Sequence, residues 1–519
     1  MTAALHRRHS PFAALLRAEF LLRVRRPGTL IVALAVLAVT WLMIADPASG
    51  LTLLEANKHR LAYSSGTLAY GSAAMGSVLL GLAGFYLARG RVQEDLRSGM
   101  AGVLAASPVD NQTLLLSRAL GAFAYLMALA GVLLMGTWAL HALRGEGPWL
   151  PWVYVEHYLL MLVPQLLWTA CCATLFDAWA PLMGRRGDVL YFFVWTALFA
   201  LMPLNEHLQG LNASLLLDFS GLATSVFALA QQLGTPHIAI GGNSFDPNLP
   251  LRAFPPDLWT LPMVAWRLGA LALAALPLLL ALPLFHRYRP DRVRARSAAA
   301  AHGRLGRAVA WSLSPFTRGL GRLLPLVGRL PLAGVWAEGM LSLISQPLAL
   351  VWLVAAWLGT SAVPPAHLGA GVAAVLAGWA LWAAELGARD TQQAGTLALS
   401  TSLPGGAPRR VLTRWAAATW LGLAGCATAI AQQPALLTPL AAGLAAASAA
   451  ALVLGRLSGG GRAFLALFLF WLFVAVQAPQ VGALDWLGFN GVAPTAMPAF
   501  TALVAVMGLT VGLWQARRR

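Results

Sequence analysis

Residues 94–118 read EDLRSGMAGVLAASPVDNQTLLLSR, and residues 390–414 read DTQQAGTLALSTSLPGGAPRRVLTR. At a constant offset of 296, Glu94 meets Asp390, Gly99 meets Gly395, Pro108 meets Pro404, Leu116 meets Leu412, Ser117 meets Thr413 and Arg118 meets Arg414. Chance supplies one or two such matches in a gapless window, not this many, so the chain repeats itself, and a repeat governs every later statement about the fold. A second matched piece stands ahead of each: LLRAEFLLRVRRP ends at Pro27 and VWAEGMLSLISQP ends at Pro347. Both carry an Ala-Glu pair, with Glu19 and Glu338 eight or nine residues before the proline.

The surrounding chain is apolar. It is 59% hydrophobic and 11% charged with a mean hydropathy of +0.69, whereas soluble domains are roughly half apolar and a quarter charged. Its apolar runs of about 20 residues match a hydrocarbon core of ~30 Å, and the ten-residue alternation of a membrane barrel is missing. The reading is therefore an all-α polytopic membrane protein. Twelve spans are predicted near residues 28–46, 66–88, 119–141, 153–176, 189–205, 260–285, 347–362, 367–387, 415–432, 435–454, 463–478 and 494–514. The repeat divides them into two tandem six-span halves, residues 1–286 and 334–519, joined by an Arg-rich cytoplasmic linker, 287–333. The first run is read as a retained span rather than a cleaved signal.

Charge orients the chain. With a cytoplasmic N terminus, 31 of the 36 Lys and Arg residues fall inside, leaving Lys58, Arg60, Arg144, Arg252 and Arg267. This asymmetry predicts a bacterial inner-membrane protein with both termini cytoplasmic. The net charge of +17 then reports topology and lipid contact, and no nucleic-acid partner is expected.

Four local segments stand out. Residues 93–107 and 389–403 are too polar to span and too helix-prone to be simple turns, and Ser107-Pro108 stops the first, since proline lacks a donor and biases its predecessor away from helix. Residues 10–26 alternate apolar side chains with Arg17, Glu19 and Arg23, as an amphipathic helix in the inner interface would, with arginines reaching lipid phosphates. Residues 206–258 are predicted to form an outer re-entrant pair of short helices, with a substrate vestibule as one reading and a stabilising cap as the other.

This succession resembles the membrane (permease) subunit of the type-2 ATP-binding-cassette (ABC-2) exporters, here with two six-helix halves fused in one chain. The resemblance covers the whole chain twice and implies that each inside helix is a coupling helix docking into a separate ATPase. It places Glu94, Asp95, Arg97, Pro108 and Arg118 at or beside the first ATPase contact, and Asp390, Pro404, Arg409, Arg410 and Arg414 at the second. It further assigns Arg17, Glu19, Arg23 and Glu338 to the interfacial entry helices. Two ABC ATPase subunits carrying ATP and Mg are the implied partners, with a periplasmic or further membrane component left open, and the cargo would be amphipathic, lipid-like or peptide.

Chemistry within the chain itself is sparse. A phosphate-binding P-loop needs a lysine, and Lys58 stands alone on the outer side. The letters LSGGG in Gly455–Arg462, GRLSGGGR, look like a nucleotide signature but read as a glycine turn between two spans. No HExxH or GxSxG motif occurs, Cys171, Cys172 and Cys426 lie in apolar runs, and the outer histidines His59, His141, His157, His207, His237 and His367 lack ligand spacing. No catalytic residue, metal ligand or bound cofactor is expected. Glu156, His157, Asp177, Arg267 and Glu385 all lie within reach of a membrane interface. The rival readings are an ion-coupled secondary transporter, which would use midplane charges, and a non-transporting assembly factor such as a metalloenzyme-maturation permease.

Overall fold

The computed structural model describes residues 11–183, 185–200, 213–285, 313–327, 329, 332–345, 347–384, 387, 406–458, 460–477 and 479–517. The chain divides into two compact units, Met1–Val293 and Arg294–Arg519.

The first unit begins with α1 (Pro11–Val24) and α2 (Pro27–Met43), bent by 68° at Arg26-Pro27. Arg26 is extended and Pro27 opens α2, because proline lacks the donor that would continue α1 yet has the φ that starts a helix. After strands β1 (Leu51–Ala56) and β2 (His59–Arg60) come α3 (Ser65–Ala88), α4 (Arg91–Arg97), α5 (Met100–Ala106), α6 (Asn111–Arg144), α7 (Pro151–Ala178) and α8 (Arg185–Ala200). Helix α9 (Leu222–Leu233), strand β3 (Ile238–Ser244), α10 (Leu261–Ala274) and α11 (Leu276–Leu284) complete it. The second unit holds α12 (Ser314–Val327), α13 (Ala333–Ser345), α14 (Pro347–Ala362), α15 (Leu368–Ala383), α16 (Gly406–Gly425), α17 (Ala427–Gln432), α18 (Leu437–Ser458), α19 (Arg462–Gln477) and α20 (Met497–Arg517).

Each predicted span coincides with a helix among the described residues. Six are long and apolar enough to cross a membrane: α3, α6, α7, α10 with α11, α18 and α20. The bent pairs α1–α2 and α13–α14 raise the number to eight. Over their described residues, the other four predicted spans fall short of that measure. Apolar stretches in α8, α15 and α19 are shorter, and α16 opens on Arg409, Arg410 and Arg414 and breaks from α17 at Cys426.

Within each unit the helices pack in the same order. Helix α6 contacts α1, α2, α3 and α7, as α16 contacts α13, α14, α15 and α18. Likewise α3 meets α8 and α7 meets α10, as α15 meets α19 and α18 meets α20.

The architecture is not wholly helical. A three-stranded antiparallel sheet, in the order β2-β1-β3, forms on the side predicted to face outward, and β3 comes from the segment expected to be a helix pair. Asn57 and Lys58 close the β1–β2 hairpin with φ of 51° and 65°. A two-residue turn of this kind matches strand twist but normally selects glycine at its second position, which hides it in the sequence. Lys58→Gly is expected to raise stability by up to about 1 kcal/mol, because glycine enters the left-handed region without strain; a lowered melting temperature would contradict this turn.

A further correspondence was not read from the sequence. Leu217-Asp218-Phe219-Ser220-Gly221 and Leu484-Asp485-Trp486-Leu487-Gly488 each follow a 3-10 turn, and their glycines have φ of 76° and 74°. In both, the glycine N–H donates to the aspartate carbonyl, at 3.2 and 2.9 Å. Both aspartates are buried and satisfy backbone donors further on: Asp218 accepts from the Thr224 N–H at 2.9 Å, and Asp485 from those of Asn490 and Val492, each at 3.0 Å.

Candidate functional site

The end of the first unit predicted to be cytoplasmic is held by an ionic junction. Glycine at 90 (φ 99°) turns the chain out of α3 into α4, and Asp177 at the end of α7 accepts the N–H groups of Gly90 and Arg91 at 2.6 and 2.9 Å. A carboxylate at a helix N terminus is favourable because the first donors of the helix lack partners. Gly99 (φ 76°) then separates α4 from α5, so the single inside helix expected over 93–107 is two short ones. Ser107 is extended before Pro108, and Asp110 caps α6 by accepting from the Thr113 N–H at 2.9 Å.

Glu19 lies at the centre of the junction. Its carboxylate meets Arg23 Nη1 at 2.6 Å, Arg91 Nε at 3.1 Å and Arg118 Nε at 3.6 Å. Arg91 also reaches Glu94 at 2.9 Å and Asp95 at 3.0 Å, Arg118 pairs with Asp95, and Arg26 with Glu94. At Gly121 a methyl would sit 2.7 Å from the Glu19 Cβ, so glycine is what allows α1 to lie on α6. Burial pushes the Glu19 carboxyl up, but the Arg23, Arg91 and Arg118 guanidiniums together overcome it and hold it below the usual carboxylate range.

These positions correct part of the expectation. Arg23 does not reach lipid phosphate: it is buried against Glu19 and donates to the Ala88 carbonyl at 3.4 Å, while Arg17 is exposed. Asp95 and Arg118, expected at or beside a partner surface, are buried and joined to one another. Glu94 and Pro108 are exposed. The apolar inner side of the loop packs Val92, Leu96, Ala101 and Leu104 against the ends of α6, α7 and α11. Its outer side leaves Met100 and Val103 uncovered, Val103 at 61% exposure.

The second unit carries the matched contact. Glu338 on α13 meets Arg414 on α16 at 3.5 Å, as Glu19 on α1 meets Arg118 on α6. Arg409 is exposed and Arg410 half-buried on the first turn of α16. Asp390, Pro404 and the rest of the expected inside helix 389–403 lie outside the described residues, as do Glu385 and the Arg97 side chain. At the positions matching Arg91 and Asp95 the second half has Gly387 and Thr391.

The remaining candidates have structural neighbours. Arg267 is buried and donates to the carbonyls of Leu160 at 2.8 Å, Phe219 at 2.6 Å and Asp218, tying α10 to α7 and to the outer segment. His157 packs among Tyr70, Phe254 and Trp259, and His141 bonds Tyr154 at 2.7 Å. Among the described residues no three His, Cys, Asp or Glu side chains converge as a metal site would require, and the three cysteines are buried and unbridged. Ser458, inside the LSGGG letters, ends α18, and its hydroxyl lies 2.7 Å from both the Leu454 and Gly460 carbonyls, with one proton to donate to either, as turn residues do. No protein-family model, curated protein or solved structure matches this chain.

Proposed function

We propose that the chain is the membrane permease of an ATP-driven exporter, with twelve spans in two tandem six-span halves and the ATPase on separate subunits. The observation that carries this reading is the junction around Glu19. It joins the α4–α5 loop to α1 and to α6, while the loop's outer face leaves Met100, Val103 and Pro108 exposed. A force applied to such a loop is delivered to two other helices rather than absorbed by it. The matched Glu338–Arg414 contact and the paired Leu-Asp-aromatic-x-Gly turns support the same division in the second half. ATP-driven closure of two ATPase subunits would push on the two inside loops, rock the halves and move an amphipathic, lipid-like or peptide cargo outward. Such a partner shifts the equilibrium only by binding one arrangement better than the other.

The exposed face of α5 gives the test. Met100→Asp with Val103→Asp is expected to weaken ATPase recovery from native membranes on the order of tenfold or more, as loss of an apolar anchor does, while the melting temperature of the purified chain stays unchanged. Recovery of the unaltered chain from native membranes without any ATPase, together with transport insensitive to ATP depletion, would sink the proposal.

A further inference from the structure

The segment expected to be an Arg-rich linker contains α12, which the span count did not require. Its apolar residues Phe316, Leu320, Leu323, Leu324 and Val327 recur at helical spacing on one side. That side is divided. Val327 is buried and Leu320 and Leu324 half-buried, whereas Phe316, Leu323 and Leu326 are exposed at 66%, 47% and 55%. At 100° per residue, Arg318 and Arg322 border this exposed strip on the edge opposite the buried residues, and both are exposed. From Arg292 to Ala337 the sequence has eight arginines and no acidic residue.

Position in the unit agrees with this pattern. Leu332, with φ 59°, precedes α13, and α12 packs against α13. The stretches Ala333–Ile344 and Ala349–Ala362 meet at 96°, and the second of them exposes Val351, Val354, Trp357 and Leu358, the surface a lipid-facing span carries. If that helix runs through the bilayer, α13 lies along its surface with α12 beside it.

We propose that α12 is a membrane-surface helix that seats Phe316, Leu323 and Leu326 in the inner leaflet and binds anionic lipid headgroups through Arg318 and Arg322. Arginines at the border of an apolar strip can insert their stems while their guanidiniums stay at the phosphate level. The absence of acidic residues suits an anionic lipid surface and offers no counter-charge to a basic partner. The inference is independent of what the protein transports.

The test uses the full chain in phosphatidylcholine bilayers with and without phosphatidylglycerol. The native cysteines are buried, so a nitroxide can be directed to Leu323→Cys, with Gly321→Cys on the opposite side as reference. With phosphatidylglycerol present, position 323 is expected to collide several-fold more with oxygen, relative to a water-soluble nickel reagent, than position 321. Arg318→Gln with Arg322→Gln, and separately omission of phosphatidylglycerol, should each reduce that preference. Equal access of the nickel reagent to both positions in both bilayers would overturn the proposal. Immersion of position 323 that ignores both the arginines and the anionic lipid would overturn the headgroup assignment. Burial of position 323 only when a second protein is added would assign the strip to a protein partner instead.

Discussion

Replacing Glu19 by alanine is expected to destabilise the first unit by about 3–5 kcal/mol, the cost of leaving the buried Arg23 without its carboxylate. Arg91 would keep Glu94 and Asp95, and Arg118 would keep Asp95, but both would lose the carboxylate that ties them to α1. The melting temperature of the purified chain should fall, and trypsin should cut at Arg23 and Arg25 as α1 comes away from α6. An unchanged melting temperature with an unchanged tryptic pattern would show that the junction does not hold α1. The matched Glu338→Ala should cost less, about 1 kcal/mol or below, because the Glu338 side chain is 27% exposed and water screens its contact.

The pH dependence of this effect has a definite sign. The folded-state value of Glu19 lies below its ordinary one, so its contribution is fully present above the unfolded carboxyl value of about 4.3. It is lost as pH falls through the lowered folded value. The difference in melting temperature between the unaltered chain and Glu19→Gln should therefore be flat from neutrality down to that region and shrink only below it. A difference that already collapses between pH 7 and pH 5 would contradict the lowered value.

The second large effect is expected at the paired aspartate turns. Asp485→Ala leaves the Asn490 and Val492 N–H groups without the acceptor they now have; both bonds are partly buried and Val492 is exposed, so water takes up part of the loss and each costs less than the full penalty of a buried donor. A loss of roughly 1–3 kcal/mol follows for the two donors together. Asp485→Asn, which keeps one carbonyl oxygen, should lose about half as much on the same reckoning. Asp218→Ala should behave alike, since Asp218 accepts from both the Thr224 N–H and its hydroxyl, at 2.9 and 3.0 Å. Equal melting temperatures for Asp485→Ala and the unaltered chain would remove these turns as anchors.

Much of the helical plan was legible because its determinants are local. A run such as Leu114–Leu140 is apolar over the length of a bilayer, and Pro27 and Pro347 end one helix and begin another by chemistry that needs no neighbour. The Leu-Asp-aromatic-x-Gly turns were also present as letters. Their offset differs from the 296 that relates the inside loops, so an alignment at that offset does not pair them. Helix α12 was likewise legible in the spacing of Phe316, Leu320, Leu323 and Leu324, and the arginines around it drew the reading towards a linker.

Sequence alone determined the apolar helices and the pairing of Glu19 with Glu338 and of Arg118 with Arg414 as matched letters. Those features depend on side chains close together in the chain or on counts along it. Only the tertiary structure decided that Asp95, Arg118 and Arg23 turn inward, that β3 crosses from a distant segment to pair with β1, and that Glu19 meets three arginines from three helices. The physical reason is that a charged residue has no inside or outside in a sequence. Whether it faces lipid, a partner or a counter-ion depends on which helices lie against it, and here Glu19 on α1 gives Arg91 and Arg118 a buried partner more than 70 residues away.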